Sequence, residues 1–123
     1  MKIVVLKFGG TSVGTIEKIK KVTDIIIEHK KKKNKVIVVS SAMSGVTNDL
    51  IKKSKQISNN FIDSEYDVLV SSGEQVACSL IAGRLNHKGF KSRSWLGWQI
   101  PIFTNGPYTC LLYTSPSPRD NPA

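Results

Sequence analysis

Ile3-Val4-Val5-Leu6-Lys7-Phe8-Gly9-Gly10-Thr11-Ser12-Val13 runs a short apolar segment straight into a glycine pair. Continuous β-branched and aliphatic runs of this length read as strands buried in a parallel sheet. A second apolar period begins at Ile16. The glycines between them let the backbone turn sharply and bring N–H groups close to an anion. Lys7 adds an ammonium at the same strand end. Backbone donors, a helix N-terminus and one lysine together suit a phosphate. Alone, the segment also fits a tight strand–helix turn with a solvated lysine.

Working outward, a strand is expected over residues 2–8 and a helix over 15–32. Ile16, Ile19, Val22, Ile26 and Ile27 recur at three and four residues and make one buried face. Asn34 is placed to end that helix. Val36-Ile37-Val38-Val39 reads as a second buried strand, which completes a βαβ unit. A polar loop, Ser40-Ser41-Ala42-Met43-Ser44-Gly45, precedes a helix expected over 46–57, with Val46, Leu50 and Ile51 inward. Asp67-Val68-Leu69-Val70 reads as a third short strand. Ser71 and Glu74 have capping-box spacing for a helix carrying Val76, Ala77, Leu80, Ile81 and Leu85, which ends near Gly89. A last strand is expected over 100–104, with Pro101 at its edge or start. Alternating strands and helices predict an α/β sandwich around a mostly parallel sheet.

The 123 residues hold one domain's worth of chain or part of a larger domain. Formal net charge is +9. Lys30, Lys31, Lys32, Lys33 and Lys35 carry much of it, at a predicted helix end where cations complement the dipole. No aromatic residues interleave with them to stack bases, so nucleic acid is not the expected partner. Cys78 is the only cysteine before residue 110, and no disulfide framework is implied. A reducing, cytoplasmic setting fits. His29 and His87 lack metal-ligand spacing, so no metal site is expected. No apolar run nears the ~20 residues that span a bilayer, and no signal-peptide core is present.

Residues 110–123 break the pattern, with Pro116, Pro118 and Pro122 and no hydrophobic period. Cys110-Leu111-Leu112-Tyr113-Thr114-Ser115-Pro116-Ser117-Pro118-Arg119-Asp120 resembles translated read-through of a transposon-based sequencing adapter. Residues 110–123 are therefore expected to be a non-native, disordered tail. A genuine Ser/Pro-rich tail is the alternative.

Three loops follow strands in this reading, at Gly9-Gly10, at 40–45 and at 71–73. Ligands of open α/β sheets bind beyond the carboxyl ends of the strands. The loops should therefore converge, offering N–H groups, hydroxyls, one lysine and one carboxylate to a phosphoryl donor and a small polar acceptor. A P-loop is excluded, because Thr15 stands where its lysine belongs after Gly9 to Gly14. No G-x-G-x-x-G follows the first strand either.

Lys7 to Val13 resembles the N-terminal signature of aspartate kinases, within the amino-acid kinase family. Val38-Val39-Ser40-Ser41-Ala42-Met43-Ser44-Gly45-Val46-Thr47-Asn48 is similar to that family's second block. Ser72-Gly73-Glu74-Gln75 resembles its third and Gly97-Trp98-Gln99 its fourth. The resemblance implies a three-layer α/β/α amino-acid-kinase fold, of which residues 1–109 are the N-terminal part. It implies transfer of the ATP γ-phosphoryl to the β-carboxylate of L-aspartate, the entry step to lysine, threonine and methionine synthesis. Lys7, Phe8, Gly9 and Gly10 match ATP-phosphate contacts, with Lys7 catalytic. Ser41, Thr47 and Glu74 match the aspartate pocket. ATP and Mg²⁺ are implied as co-substrate and metal, and a homo-oligomer at full length. The fragment alone is expected to be inactive, because the family continues through further catalytic groups. Capping remains the alternative for Ser41, Thr47 and Glu74; packing is expected of Trp98 and Cys78. Another amino-acid kinase, or a small basic nucleic-acid-binding module, is the rival function.

Overall fold

The computed structural model describes residues 1–101, 103–104 and 112–113. The apolar run forms β1 (Ile3–Phe8), which pairs in parallel with β2 (Lys35–Ser40), Ile3 opposite Lys35 and Phe8 opposite Ser40. Between them runs α1 (Ile16–Lys31), capped by Thr15, whose hydroxyl accepts the Lys18 N–H at 3.2 Å. This is the expected βαβ unit. The helix does not end at Asn34. Lys32 is the cap, and Lys33 takes the left-handed conformation with φ of 61°. A side chain with Cβ pays roughly 1–2 kcal/mol there, which glycine avoids. Lys33→Gly is therefore expected to raise unfolding stability by about 1 kcal/mol. A urea midpoint that stays put or falls would contradict the assignment.

α2 (Val46–Ile57) and α3 (Asp63–His87) follow. α3 contains the largest departure from the sequence reading. The 67–70 run is not a strand but lies inside this 25-residue helix. Ser71 therefore caps nothing. Its hydroxyl donates back to the Val68 carbonyl at 3.2 Å, as Ser72 does to Leu69 at 2.6 Å and Ser79 to Val76 at 2.9 Å. A four-residue apolar run has too few positions to separate period 2 from period 3.6. The helix does end as expected near Gly89, whose φ is +88°. Beyond it, Ile100 and Pro101 are not in a strand. The last-strand segment reduces to β3 (Phe103–Thr104), antiparallel to β4 (Leu112–Tyr113). Ile102 and the rest of 105–123 lie outside the described residues.

The core lies between the sheet and the pair α1 and α3. Val13, Ile19, Val22, Ile26, Ile27, Ile81 and Leu85 are buried, with Leu6, Phe8, Val36, Val38, Met43 and Phe90 against them. Ile16, expected on this face, is 51 % exposed, one turn short of the packed stretch. Of the expected α3 stripe, Ala77, Ile81 and Leu85 are buried, while Val76 and Leu80 face outward. Arg84 of α3 fastens the two helices. Its guanidinium donates to the Lys20 carbonyl at 2.7 Å, to Asp24 at 2.9 Å and to the Thr23 hydroxyl.

Strand alternation divides the sheet into two faces. Val4, Leu6 and Phe8 with Val36 and Val38 are part-buried. Ile3, Val5, Ile37 and Val39 are exposed on the other face, and Lys7 shares it. Parallel strands ordinarily carry helices on both faces; here, among the described residues, one face is covered.

Candidate active site

Phe8 and Ser40 end the paired strands side by side, and their following loops are tied together by the Ser41 N–H donating to the Phe8 carbonyl at 3.0 Å. The first loop closes as a turn, Ser12 N–H to Gly9 carbonyl at 3.1 Å, and drops Val13 into the core at 0 % exposure. The second loop closes through Val46 N–H to Met43 carbonyl at 3.1 Å and starts α2 at Gly45, with φ of +82°. A Cβ is strained at that φ, and glycine accepts it freely.

A cleft of about 400 Å³ opens between these loops, lined by Gly10, Thr11, Ser41, Ala42, Met43, Ser44, Gly45, Thr47, Asn48 and Glu74. Four of the seven expected site residues therefore meet in it: Gly10, Ser41, Thr47 and Glu74. Lys7, Phe8 and Gly9 are not in its wall. Phe8 turns its ring to the core, so only its backbone can reach a ligand. Lys7 projects from the open sheet face one residue before the strand ends. The third expected loop is instead the middle of α3, which carries Glu74 to the cleft on a rigid helix.

Two alternatives are removed. Thr47 does not cap α2, since Gly45 is the N-cap and no side chain caps that end. Glu74 is no capping-box partner, since Ser71 bonds within the helix. The hydroxyls of Ser41 and Thr47 make no hydrogen bond among the described residues.

Thr11, Met43, Ser44, Gly45 and Asn48 also line the cleft, though the sequence reading assigned them no role. The signal was their adjacency to the strand ends. The helix end expected to face an anion also differs. The turn through 10–14 separates the glycine pair from α1, whereas the first turn of α2 supplies Thr47 and Asn48 to the cleft. Its first N–H groups have no intrahelical acceptor and its dipole favours negative charge.

Behind Glu74 lies a more apolar groove of about 650 Å³ between α3 and the 95–98 segment, whose wall includes Glu74, Cys78, Trp95 and Trp98. Trp98, expected to pack, is 79 % exposed. Burial, and secondarily the Glu74 charge, push the Cys78 thiol up from its ordinary value. It stays protonated at neutral pH, so it is a poor nucleophile. Among the described residues no group of three His, Cys, Asp or Glu is placed to hold a metal. No described helix is long and apolar enough to cross a membrane.

A polar cleft beyond the carboxyl ends of a parallel β-strand pair is where α/β proteins bind ligands. Residues 2–115 match the model of the Amino acid kinase family, and the chain belongs to that family. It is 50 % identical over 104 residues to an aspartokinase of Geobacillus stearothermophilus, covering 85 % of this chain and 26 % of that relative. It is 46 % identical over 118 residues to an aspartokinase of Rickettsia felis, covering 94 % and 29 %. A solved aspartate kinase from Synechocystis superposes with TM-score 0.68 at 42 % identity, over 72 % of this chain and 15 % of that one. The chain thus spans about a quarter of the length of the curated relatives it matches.

Proposed function

We propose that this chain is the N-terminal part of an aspartate kinase. That enzyme transfers the ATP γ-phosphoryl to L-aspartate and forms 4-phospho-L-aspartate, the entry step to lysine, threonine and methionine synthesis. The observation that carries the reading is the cleft itself. It gathers unengaged hydroxyls, a helix N-terminus and one carboxylate within reach of a small amino acid. Identity of 50 % to an aspartokinase supports this choice of acceptor.

The Glu74 carboxylate pairs with the substrate α-ammonium. The hydroxyls of Ser41 and Thr47 donate to its α-carboxylate, beside the positive end of α2. A β-carboxylate oxygen then attacks the γ-phosphorus. The new P–O bond forms as the bond to the bridging oxygen breaks and ADP leaves. Lys7 offsets the charge spreading over the transferred group.

Gly9 supports the phosphate role. A Cβ there would meet nothing within 4 Å, and its φ lies outside the left-handed region. That open space leaves room for a phosphate to approach the backbone. Mg²⁺ belongs to this reaction class, but the described residues do not compose its site: Glu74 is the only carboxylate in the cleft wall. No step is assigned to the metal. We further propose a cytoplasmic protein, a homo-oligomer at the relatives' length, with residues 110–123 foreign to it.

The test is a protein of the relatives' length that begins with residues 1–109 of this sequence. ATP-dependent acyl phosphate formation, trapped with hydroxylamine, is expected with L-aspartate and at background with L-glutamate. The reverse preference would assign another amino-acid kinase. The 123-residue chain alone is expected to give no turnover, because catalytic groups that act as a unit fail together.

A further inference from the structure

We propose that Ala42 is a positioning residue that ties the phosphate side of the cleft to its acidic wall through two glycines. The proposal rests on the kinase reading of the cleft. Ala42 is 4 % exposed and sits between Gly10 and Gly73. A Cβ on Gly10 would stand 3.3 Å from the Ala42 carbonyl oxygen. A Cβ on Gly73 would stand 3.0 Å from the Ala42 methyl and 3.1 Å from a Val46 methyl. Neither glycine has a positive φ; among the described glycines only Gly45 and Gly89 do. Both are therefore glycine for close approach and not for a special backbone conformation.

The three residues form a chain of contacts across the site. Gly73 precedes Glu74 on α3, Ala42 lies in the loop after β2, and Gly10 lies in the loop after β1. Packed interiors transmit displacement because they have no slack. A methyl group on Gly73 must move Ala42 or α3 by a few tenths of an ångström. Pushing Ala42 moves its carbonyl against Gly10, one of the glycines of the proposed phosphate loop. The aspartate and ATP sites thus share one spacer, although no side chain reaches from one to the other.

The test is a size exchange, read in two ways. In the 123-residue chain labelled with ¹⁵N, Gly73→Ala is expected to shift the Gly10 amide resonance, and adding Ala42→Gly to return it. In the protein of the relatives' length, Gly73→Ala is expected to raise KM for both aspartate and ATP by roughly tenfold, given what sub-ångström misplacement costs a reacting geometry. Adding Ala42→Gly should recover most of both, and adding Val46→Ala should not recover the ATP effect. An unmoved Gly10 resonance, or a KM change confined to aspartate, overturns the proposal. If Gly73→Ala alone unfolds the chain, Ala42→Gly alone decides: it should shift the amide resonances of both Gly10 and Gly73, and an unmoved Gly10 resonance overturns the tie. If the unsubstituted longer protein phosphorylates no aspartate, the kinase reading falls, and the Gly10 resonance still decides whether the tie exists.

Discussion

Lys7→Ala, in a protein of the relatives' length beginning with this sequence, is expected to lower turnover by about 10²–10³-fold, the cost of removing one preorganised donor from developing charge. The geometry specifies where that loss appears. Lys7 is on β1 beside the cleft and not in its wall. The proposal seats the phosphoryl group at this strand end and the amino acid beside Glu74, in the wall that Lys7 does not join. The loss should therefore fall on kcat, with KM for aspartate nearly unchanged. The side chain is exposed and makes no described hydrogen bond, so the same substitution in the 123-residue chain should leave its melting temperature in place. Steady-state kinetics with both substrates varied measures this. Near-normal turnover would remove Lys7 from the chemistry.

Glu74→Gln should act on the other substrate. A hydrogen bond to a charged group contributes about 1.5–3 kcal/mol. Losing the pairing with the α-ammonium should raise KM for aspartate by about 10–100-fold. If the contact is equally strong in ground and transition states, kcat changes little. Glutamine keeps the shape, so packing against the 95–98 segment is retained. Cys78 provides an internal check. Its thiol is held up first by burial and second by the Glu74 charge. Removing the charge should lower the thiol titration part of the way and leave the burial effect in place. A variant that moves Cys78 without altering KM would show that Glu74 faces the groove and not the substrate.

The part of the fold legible in the sequence is the part with strong, simple periods. β1, α1, β2 and α2 lie within about a residue of expectation: the strands are short continuous apolar runs bounded by polar loops, and the helices carry apolar residues at intervals of three and four. α3 was illegible at its start. Its apolar residues point both ways, Ala77, Ile81 and Leu85 inward and Val68, Val76 and Leu80 outward, so its first turns looked like a strand. The serines at 71 and 72 deepened the error, since serine marks caps and turns as readily as it bonds back along a helix. The expected site still assembled at Gly10, Ser41, Thr47 and Glu74, because a helix delivers Glu74 to the place assumed for a loop. Gly10 and Gly73 were legible as glycines but not as spacers: close approach is a tertiary fact that no local pattern carries.

The open sheet face gives this region a history as well as a shape. In a chain of the relatives' length, β1, α1 and β2 leave the ribosome ahead of everything that follows residue 40. At elongation rates of about 5–20 residues per second, Ile3, Val5, Ile37 and Val39 then stand in water for roughly 5–20 s per hundred further residues made. An exposed apolar plane whose edges, among the described residues, are unpaired is what holdase chaperones and neighbouring nascent chains both recognise. The yield of such a protein is thus set by how long its first strands wait, and slow translation just downstream would be felt as aggregation rather than as lost catalysis.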